Sequence, residues 1–289
     1  MLLACGVFYS LNKFGKIFCR EGACNLTKHK KAKHSKKNLK DKKPKKVIII
    51  LIQILLILLL IYSLVQIGIW YINNKQSQKI MDQISNSIVI DTNKENEIQE
   101  DKYKIDFDSL KRTNADTVAF LKVNGTEVQY PVVKGTNNDF YLSHSFDKSY
   151  NAAGWIFADY KNKFDGTDKN IIVYGHNRRD GSMFFTLKNI LNEDWYKTEE
   201  NLKVQFITEN EQAIYQVFSV YQIEAEEYYI KTNFKDNEEY TKFLETIKKR
   251  SINNFGIDVN TGDSILTLST CANNNKYRVV LHAKKIINQ

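Results

Sequence analysis

The feature that most constrains this chain is an apolar stretch at residues 47–72. As far as residue 65 its side chains are isoleucine, leucine and valine, interrupted only by Gln53, Tyr62 and Ser63. Twenty-six helical residues rise about 39 Å at about 1.5 Å each, which exceeds the roughly 30 Å of a bilayer core. The stretch is longer than the apolar part of a signal peptide, and no small-residue cleavage motif follows it. It therefore predicts a single transmembrane helix rather than a buried helix of a soluble domain.

Basic residues are concentrated before this stretch. Residues 1–46 contain 14 of the 42 lysines and arginines and 2 of the 33 acidic residues, a net charge of +12. The remainder holds 28 basic and 31 acidic residues, or −3, which argues against a nucleic-acid-binding protein. Positive charges beside a membrane span stay in the cytoplasm, so the N-terminus is predicted to be cytoplasmic and the chain extracellular from about residue 73. Trp70 and Tyr71 fit the aromatic belt at the membrane interface.

The membrane span divides the chain into four segments. These are a basic cytoplasmic stub at 1–46, a transmembrane anchor at 47–72, a stalk or linker helix at 73–104, and a folded domain at 105–289. Within the stalk, Ile80, Ile84 and Ile88 recur every four residues, a spacing that favours a helix with one apolar side.

The folded domain consists mainly of short apolar runs separated by polar turns, a pattern typical of strands. A hairpin is predicted at 119–133, because alternating apolar residues flank Asn124-Gly125, the strongest short hairpin signal. Further strands are predicted at 154–158, 170–174, 202–208, 213–223, 264–271 and 277–281. About eight strands with one inserted helix predict a mostly β domain, either an antiparallel barrel or a sandwich.

The inserted helix is predicted at 236–251. Asp236 is a suitable N-cap, with Glu239 three residues later, and an apolar stripe at helical spacing follows. The stripe consists of Tyr240, Phe243, Leu244 and Ile247. It indicates a side that packs on the core rather than a ligand site.

The two strands nearest the C-terminus hold the first candidate site. Side chains alternate along a strand, so Leu266 and Leu268 share one face and Cys271 lies on the other. If both apolar faces point to a core, Cys271 and Arg278 emerge on the same side, as an activated thiol beside a charge that could hold an oxyanion. The alternative is a small buried cysteine beside a surface arginine. Cys271 is the only cysteine after the membrane span, because the others are Cys5, Cys19 and Cys24. A lone thiol in an exposed compartment favours a working nucleophile.

Three histidines after the membrane span could serve this cysteine. His144 lies in an aromatic, loop-like stretch and is as consistent with a structural role, and His282 reads as an ordinary strand residue. His176 follows an apolar strand and a glycine, which is a common way to present a catalytic group from a rigid sheet. A zinc site is disfavoured, because this part of the chain offers one cysteine and no paired-ligand spacing.

Taken together, these motifs resemble the sortases, most closely class B, over about residues 105–287. The residues that carry the resemblance are Tyr-Gly-His-Asn at 174–177, Gly-Ser-Met-Phe at 181–184, Thr-Leu-Ser-Thr-Cys at 267–271 and Tyr-Arg-Val-Val at 277–280. The resemblance implies an eight-stranded sortase-type β-barrel with N-terminal helices and one inserted helix, preceded by the transmembrane helix. It assigns the family's nucleophile to Cys271, its histidine to His176 and its arginine to Arg278. Leu142 and Ser269 match substrate contacts.

The chain departs from the family pattern at Ala272, where several class B members carry an acidic residue. That departure puts any role of the side chain at this position in doubt, and leaves the three catalytic positions as they are.

The resemblance further implies a membrane-anchored cysteine transpeptidase that works without metal or cofactor. Cys271 would form a thioester with a C-terminal sorting signal of secreted proteins, and an amine of the peptidoglycan precursor would resolve it. The alternatives are a hydrolytic cysteine peptidase, in which water resolves the thioester, and a tethered β-domain that only binds. The sorting motif and the amine acceptor are left open by the sequence.

Overall fold

The computed structural model describes residues 43–85, 87–91, 102–178, 180–272 and 276–288. The predicted basic stub lies outside these residues, except for its last four, which begin the first helix. Cys5, Cys19 and Cys24 also lie outside them. The chain divides into two compact units, residues 1–57 and 58–289.

The first helix, α1 (Lys43–Ser85), contains the whole apolar stretch and continues beyond it. In the part of the chain that the structure describes, α1 is the helix whose length and composition would allow it to cross a membrane. Its side chains are almost all exposed as far as Ile72, as expected for a surface that lipid would cover. After that point, Asn73, Ser77, Ile80 and Ile84 are buried. The last three turns of α1 are therefore part of the folded unit 58–289.

Among the described residues, ten strands and three further α-helices follow α1. The strands are β1 (Ile88–Asp91), β2 (Lys102–Ile105), β3 (Thr117–Val123), β4 (Gln129–Val133), β5 (Phe157–Ala158), β6 (Asn170–Gly175), β7 (Lys203–Ile207), β8 (Gln212–Glu224), β9 (Ile265–Ala272) and β10 (Tyr277–Asn288). The helices are α2 (Phe107–Thr113), α3 (Glu193–Tyr196) and α4 (Asn237–Lys249), with 3-10 turns at Phe140–Leu142, Phe185–Leu191 and Glu199–Leu202.

Eight of these strands form a closed barrel in the order β10-β8-β7-β3-β4-β5-β6-β9, while β1 and β2 pair separately. Neighbouring barrel strands are antiparallel except for β4 with β5 and β6 with β9. This eight-stranded barrel confirms the predicted fold class. One predicted strand, at 154–158, is much shorter than expected. Gly154 has φ +61°, which an extended strand cannot contain, so only Phe157–Ala158 pair.

The two strand faces that the sequence predicts for β9 and β10 lie in different parts of the core. Leu266, Leu268, Val279 and Leu281 lie in the main barrel core. The opposite face, including Ile265 and Val280, packs against α4 in a second apolar cluster. Both faces of this pair of strands are therefore covered along most of their length.

The predicted inserted helix is confirmed as α4. Asp236 accepts a hydrogen bond from the Glu239 N–H at 2.9 Å, which is the predicted N-cap. Tyr240, Phe243, Leu244 and Ile247 are all buried, so the predicted stripe is the side that packs on the barrel.

Candidate active site

Strand pairing places Cys271 directly opposite Arg278. The two residues are Cα partners in the antiparallel β9–β10 pair. Directly opposed residues of an antiparallel pair occupy the same face of the sheet, so the predicted juxtaposition holds at the level of the backbone. The side chain of Cys271 lies outside the described residues. Arg278 is half-buried, and its Nη1 donates to the Tyr277 carbonyl at 3.1 Å.

The parallel pairing of β6 with β9 brings His176 to the same place. Gly175, the last residue of β6, is the Cα partner of Thr270. Parallel strands run in the same direction, so the next residue along each strand is His176 on one and Cys271 on the other. Residues almost one hundred positions apart in the sequence therefore become neighbours through one strand pair.

The ring of His176 is held by a backbone carbonyl. Its Nε2 lies 2.8 Å from the carbonyl oxygen of Leu142. A carbonyl can only accept, so Nε2 carries the proton and donates. Gly154 allows this approach, since a Cβ there would lie 2.5 Å from the Tyr141 carbonyl oxygen and 2.9 Å from His176 Cδ2. Glycine is also the residue that adopts its φ of +61° without strain.

A cleft of about 490 Å³ runs along these residues. Four of the residues that the sequence singles out line it together, namely Leu142, His176, Ser269 and Arg278. The other lining residues are Asn138, Asp139, Phe157, Tyr174, Gly175, Glu227, Tyr229, Ile230 and Thr270. An open cleft with an apolar floor and a few converging polar groups is the usual form of a ligand site.

The two predicted substrate contacts differ in how they face this cleft. The side chain of Leu142 is 42% exposed and offers apolar surface. Ser269 is 4% exposed, and its hydroxyl lies 2.8 Å from the Tyr229 hydroxyl in a buried hydrogen bond. Ser269 therefore ties β9 to the segment that carries Tyr229, while Leu142 is available to a ligand.

A buried carboxylate that sequence reasoning missed supports the cleft. Asp159 is 1% exposed and accepts hydrogen bonds from Asn138 Nδ2 at 2.9 Å and from the Tyr174 hydroxyl at 2.8 Å. Burial raises the pKa of Tyr174, and the Asp159 carboxylate raises it further, so this hydroxyl stays protonated as a donor. The available signal was an acidic residue placed directly after the apolar run that ends in Ala158.

The other two histidines are occupied in structural roles. His144 stacks on Phe140 with ring centroids 3.9 Å apart, and its Nδ1 lies 2.7 Å from the Phe140 carbonyl oxygen. His282 is fully buried, with Nε2 2.7 Å from the Tyr221 hydroxyl and Nδ1 2.8 Å from the Thr267 hydroxyl. Burial lowers the pKa of His282 to about 3, so the ring is neutral near pH 7.

No group of three or more His, Cys, Asp or Glu side chains that could hold a metal ion occurs among the described residues. The described polar side chains around the cleft are one imidazole, one guanidinium, two carboxylates (Asp139 and Glu227), four hydroxyls and one amide. Such a set suits nucleophilic and acid–base chemistry with a peptide.

Comparison with known proteins identifies relatives of this domain. The family model described as the sortase domain matches residues 121–286. Sortase B of Listeria monocytogenes is 32% identical over 78% of this chain and 92% of its own length, and sortase B of Staphylococcus aureus is 32% identical over 73% and 82%.

Solved structures show the same likeness. Clostridium perfringens sortase B superposes with a TM-score of 0.59 and 40% identity, covering 63% of this chain and all of the other. Sortase B from B. anthracis gives a TM-score of 0.64 and 33% identity, covering 75% and 99%.

Proposed function

We propose a specific reaction for this chain, which belongs to the sortase family of cysteine transpeptidases. It cleaves a C-terminal sorting signal of secreted proteins through a thioester on Cys271 and transfers them to an amine of the peptidoglycan precursor. The observation that supports this most strongly is the pair of strand registers around β9. One sets Cys271 opposite Arg278, and the other sets it beside His176.

In the first half-reaction the Cys271 sulfur attacks the carbonyl carbon of the scissile peptide bond. The C–N bond breaks, a thioester forms, and the proton lost by the Cys271 thiol passes through His176 to the leaving amine. The bond from Nε2 to the Leu142 carbonyl supports this role, because it fixes the ring and leaves Nδ1 as the nitrogen that carries the transferred proton. A pre-oriented acid loses little entropy on reaching the transition state.

In the second half-reaction an amine replaces the leaving group. Its nitrogen attacks the thioester carbon, His176 takes the proton, and the thiol of Cys271 is released as the new amide forms. The cell-wall role that the sortase family implies supplies the amine from the peptidoglycan precursor. The competing acceptor is water, which would make the enzyme a hydrolytic peptidase.

Arg278 stabilises negative charge in both halves. Its guanidinium is always protonated, so it cannot be the base, but it can donate to the oxyanion that forms at the attacked carbonyl. The pairing of Arg278 with Cys271 in the β9–β10 register supports this role. Leu142 contacts the bound signal with its exposed apolar surface. Ser269 also lines the cleft, and we propose that it meets the signal at the β9 wall while its hydroxyl stays bonded to Tyr229.

The helix α1 anchors this enzyme in the cell membrane. The exposed apolar surface of α1 and the positive charge of residues 1–46 support a cytoplasmic N-terminus and an extracellular catalytic domain. This topology brings the cleft to the side of the membrane where secreted substrates and wall precursors meet.

The test uses the full chain in detergent micelles with a pool of fluorogenic sorting-signal peptides, with and without an added amine. Mass spectrometry follows peptide cleavage and the mass of the protein, and Cys271→Ala is the control. We expect an acyl adduct on Cys271 and incorporation of the amine into the product. Cleavage that ends only in hydrolysis under every amine tried would favour the peptidase. Absence of cleavage by the wild type, or cleavage by Cys271→Ala, would contradict the proposal.

A further inference from the structure

Two separate loops hold His176, and both are hydrogen-bonded to the same short part of α1. The first loop, residues 176–184, begins with the histidine itself. The second, residues 140–151, supplies the Leu142 carbonyl that accepts from its ring. The shared partner is the stretch 73–77 of α1, which begins one residue after the predicted membrane span.

The loop 176–184 reaches α1 through Arg178. Its Nη2 donates to Asn74 Oδ1 at 2.8 Å, and its Nε and Nη2 donate to Asp180 Oδ2 at 2.9 and 2.7 Å. The side chains of Arg178 and Asp180 are only 14% and 11% exposed. Charge-assisted bonds that are this well shielded hold geometry much better than an exposed ion pair.

Asp180 connects Arg178 to the rest of the loop that contains His176. Its Oδ1 accepts from the backbone N–H and the hydroxyl of Ser182 at 3.0 and 2.7 Å. Burial opposes ionisation of Asp180, but the hydrogen bonds from Arg178 and Ser182 outweigh it and lower the pKa of this carboxyl. The loop then closes on itself, because the Phe184 N–H donates to the His176 carbonyl at 2.9 Å.

The loop 140–151 reaches the same helix through Asn151, which is fully buried. Asn151 Nδ2 donates to the Asn73 carbonyl at 3.0 Å and to the Ser77 hydroxyl at 3.1 Å. Its backbone N–H donates to the Ser143 carbonyl at 2.9 Å, the residue next to Leu142. A buried amide between a loop and a helix is costly to misplace, because its donors would lose their partners.

We infer that residues 73–77 of α1 are a positioning element of the active site, which fixes His176 through Asn74–Arg178 on one side and Asn151 on the other. This inference rests on the proposed function, since it gives His176 its catalytic role. The membrane helix is then more than a tether, because its first turns inside the folded unit set the geometry of proton transfer. A shift of about 1 Å in a catalytic group can lower a rate by as much as about a hundredfold.

The test measures the full chain in detergent micelles. Asn74→Ala removes the acceptor for Arg178, and Asn74→Asp retains one. Lys79→Ala is the matched control, because Lys79 is exposed on the same helix and has no hydrogen bond or ion pair with other described residues. For each variant, kcat and KM for a cleaved peptide, the single-turnover rate of Cys271 acylation, and the unfolding midpoint are measured.

A positioning role predicts that Asn74→Ala lowers kcat and the acylation rate about tenfold with KM unchanged. Asn74→Asp restores both rates to within about twofold, and Lys79→Ala equals the wild type. If Asn74→Ala behaves like Lys79→Ala, or loses rate only in proportion to its loss of folded protein, the inference is wrong. If the wild type itself forms no thioester on Cys271, the proposed function fails, and the inference fails with it.

The contact between Asn151 and α1, the second arm of this element, gives an independent check. Asn151→Asp keeps the size of the side chain and the acceptor for the Ala153 N–H, but replaces the donor that faces the Asn73 carbonyl. It is expected to lower kcat about as much as Asn74→Ala, again with little change in KM. An unchanged kcat in a folded Asn151→Asp protein would contradict the inference for this arm.

Discussion

The two sides of the cleft are built in different ways. The strand side, residues 269–271 and 278, belongs to the continuous pairing of β6, β9 and β10. The loop side, residues 140–151 and 176–184, has two isolated bridges and is held by side-chain hydrogen bonds to a distant helix. The strand side thus gains its position from regular strand pairing. The loop side depends on four core side chains (Tyr141, Phe146, Met183 and Phe184), on irregular backbone bonds and on a few polar contacts with α1.

This difference shows where substitutions act. A strand in a closed barrel is fixed by ladder bonds on both edges and by the core beneath, so it tolerates the loss of one surface group. A loop outside regular strand pairing has no ladder to hold its register, so it shifts when a side-chain bond to α1 is lost. Substitutions on the strand side should therefore change the chemistry alone, and those on the loop side should change geometry and chemistry together.

The strongest test asks whether the two sides form one catalytic unit. Cys271→Ala on the strand side and His176→Ala on the loop side are each expected to lower kcat/KM by at least about 10³-fold. Groups that act in one step are not additive, so the double variant should be no slower than Cys271→Ala alone. The measurement is amine incorporation into a sorting peptide. A His176→Ala enzyme that keeps more than a tenth of the wild-type rate would show that His176 and Cys271 do not act as one catalytic unit.

The next effect concerns the charge on the strand side. Arg278→Lys keeps the positive charge but loses the planar fork, and kcat is expected to fall about 10²-fold because an oxyanion donor is lost. The unfolding midpoint should stay close to the wild type, because the strand pairing is unchanged. Lys276→Ala, at an exposed position just before β10, is the control and should leave kcat unaltered. Equal rates for Arg278→Lys and the wild type would contradict the role of the guanidinium.

A smaller effect is expected from the close approach on the loop side. Gly154→Ala adds a Cβ that meets both a carbonyl oxygen and the His176 ring, so kcat should fall about tenfold and the free energy of unfolding by about 1–3 kcal/mol. Gly166→Ala is the matched control. It also has a positive φ, of +85°, but open space around the new Cβ.

Urea unfolding and peptide kinetics of both glycine variants distinguish backbone strain at a positive φ from displacement of the His176 ring. Gly166→Ala should lose about 1–2 kcal/mol and keep its kcat. If both variants lose kcat equally, the contact between the new Cβ and the His176 ring is not the cause of the loss.

The smallest effect is one of stability alone, at His282, a buried residue of β10 outside the cleft. The unfolded chain protonates this ring below about pH 6.5, whereas burial delays protonation in the folded chain to about pH 3. The unfolded state thus binds more protons between these values, and stability falls as the pH falls. One unit below the unfolded pKa, this costs about 1.4 kcal/mol.

His282→Gln removes that titration. Urea unfolding at pH 7.5 and 5.5 should show a loss on acidification that is smaller in the variant by about this amount, with kcat at pH 7.5 equal to the wild type. An identical pH dependence in both proteins would show that His282 is accessible to protons in the folded state.

The same comparison explains what the sequence could and could not predict. The faces of β9 and β10 follow from alternation, and Leu268 and Leu281 are in the barrel core as expected. Alternation reports which side a residue faces, and that is enough to bring Cys271 opposite Arg278. It does not report what covers the other side, so the burial of His282 beneath the α4 cluster was not predicted.

The loop side had almost no sequence signal beyond the motif around His176. Asn151, Arg178 and Asp159 act through hydrogen bonds to partners that are distant in the sequence or irregular in spacing, and no period reveals such pairs. Ile80, Ile84 and Ile88 predicted an apolar helix face, which is correct for Ile80 and Ile84, both buried. It is wrong for Ile88, which lies in β1 because α1 ends at Ser85. The polar contacts made by 73–77 depend on the exact rotation of α1 against the loops, which is settled only by packing.

The barrel closure has a consequence for the time at which activity appears. β9 and β10 are the last two strands to be made, yet β9 completes the edge of β6 and β10 that of β8. A chain synthesised only as far as α4 already contains His176 but lacks Cys271 and Arg278, and its open strand edges are exposed to improper pairing. The reactive thiol therefore arrives only with the strands that close the barrel.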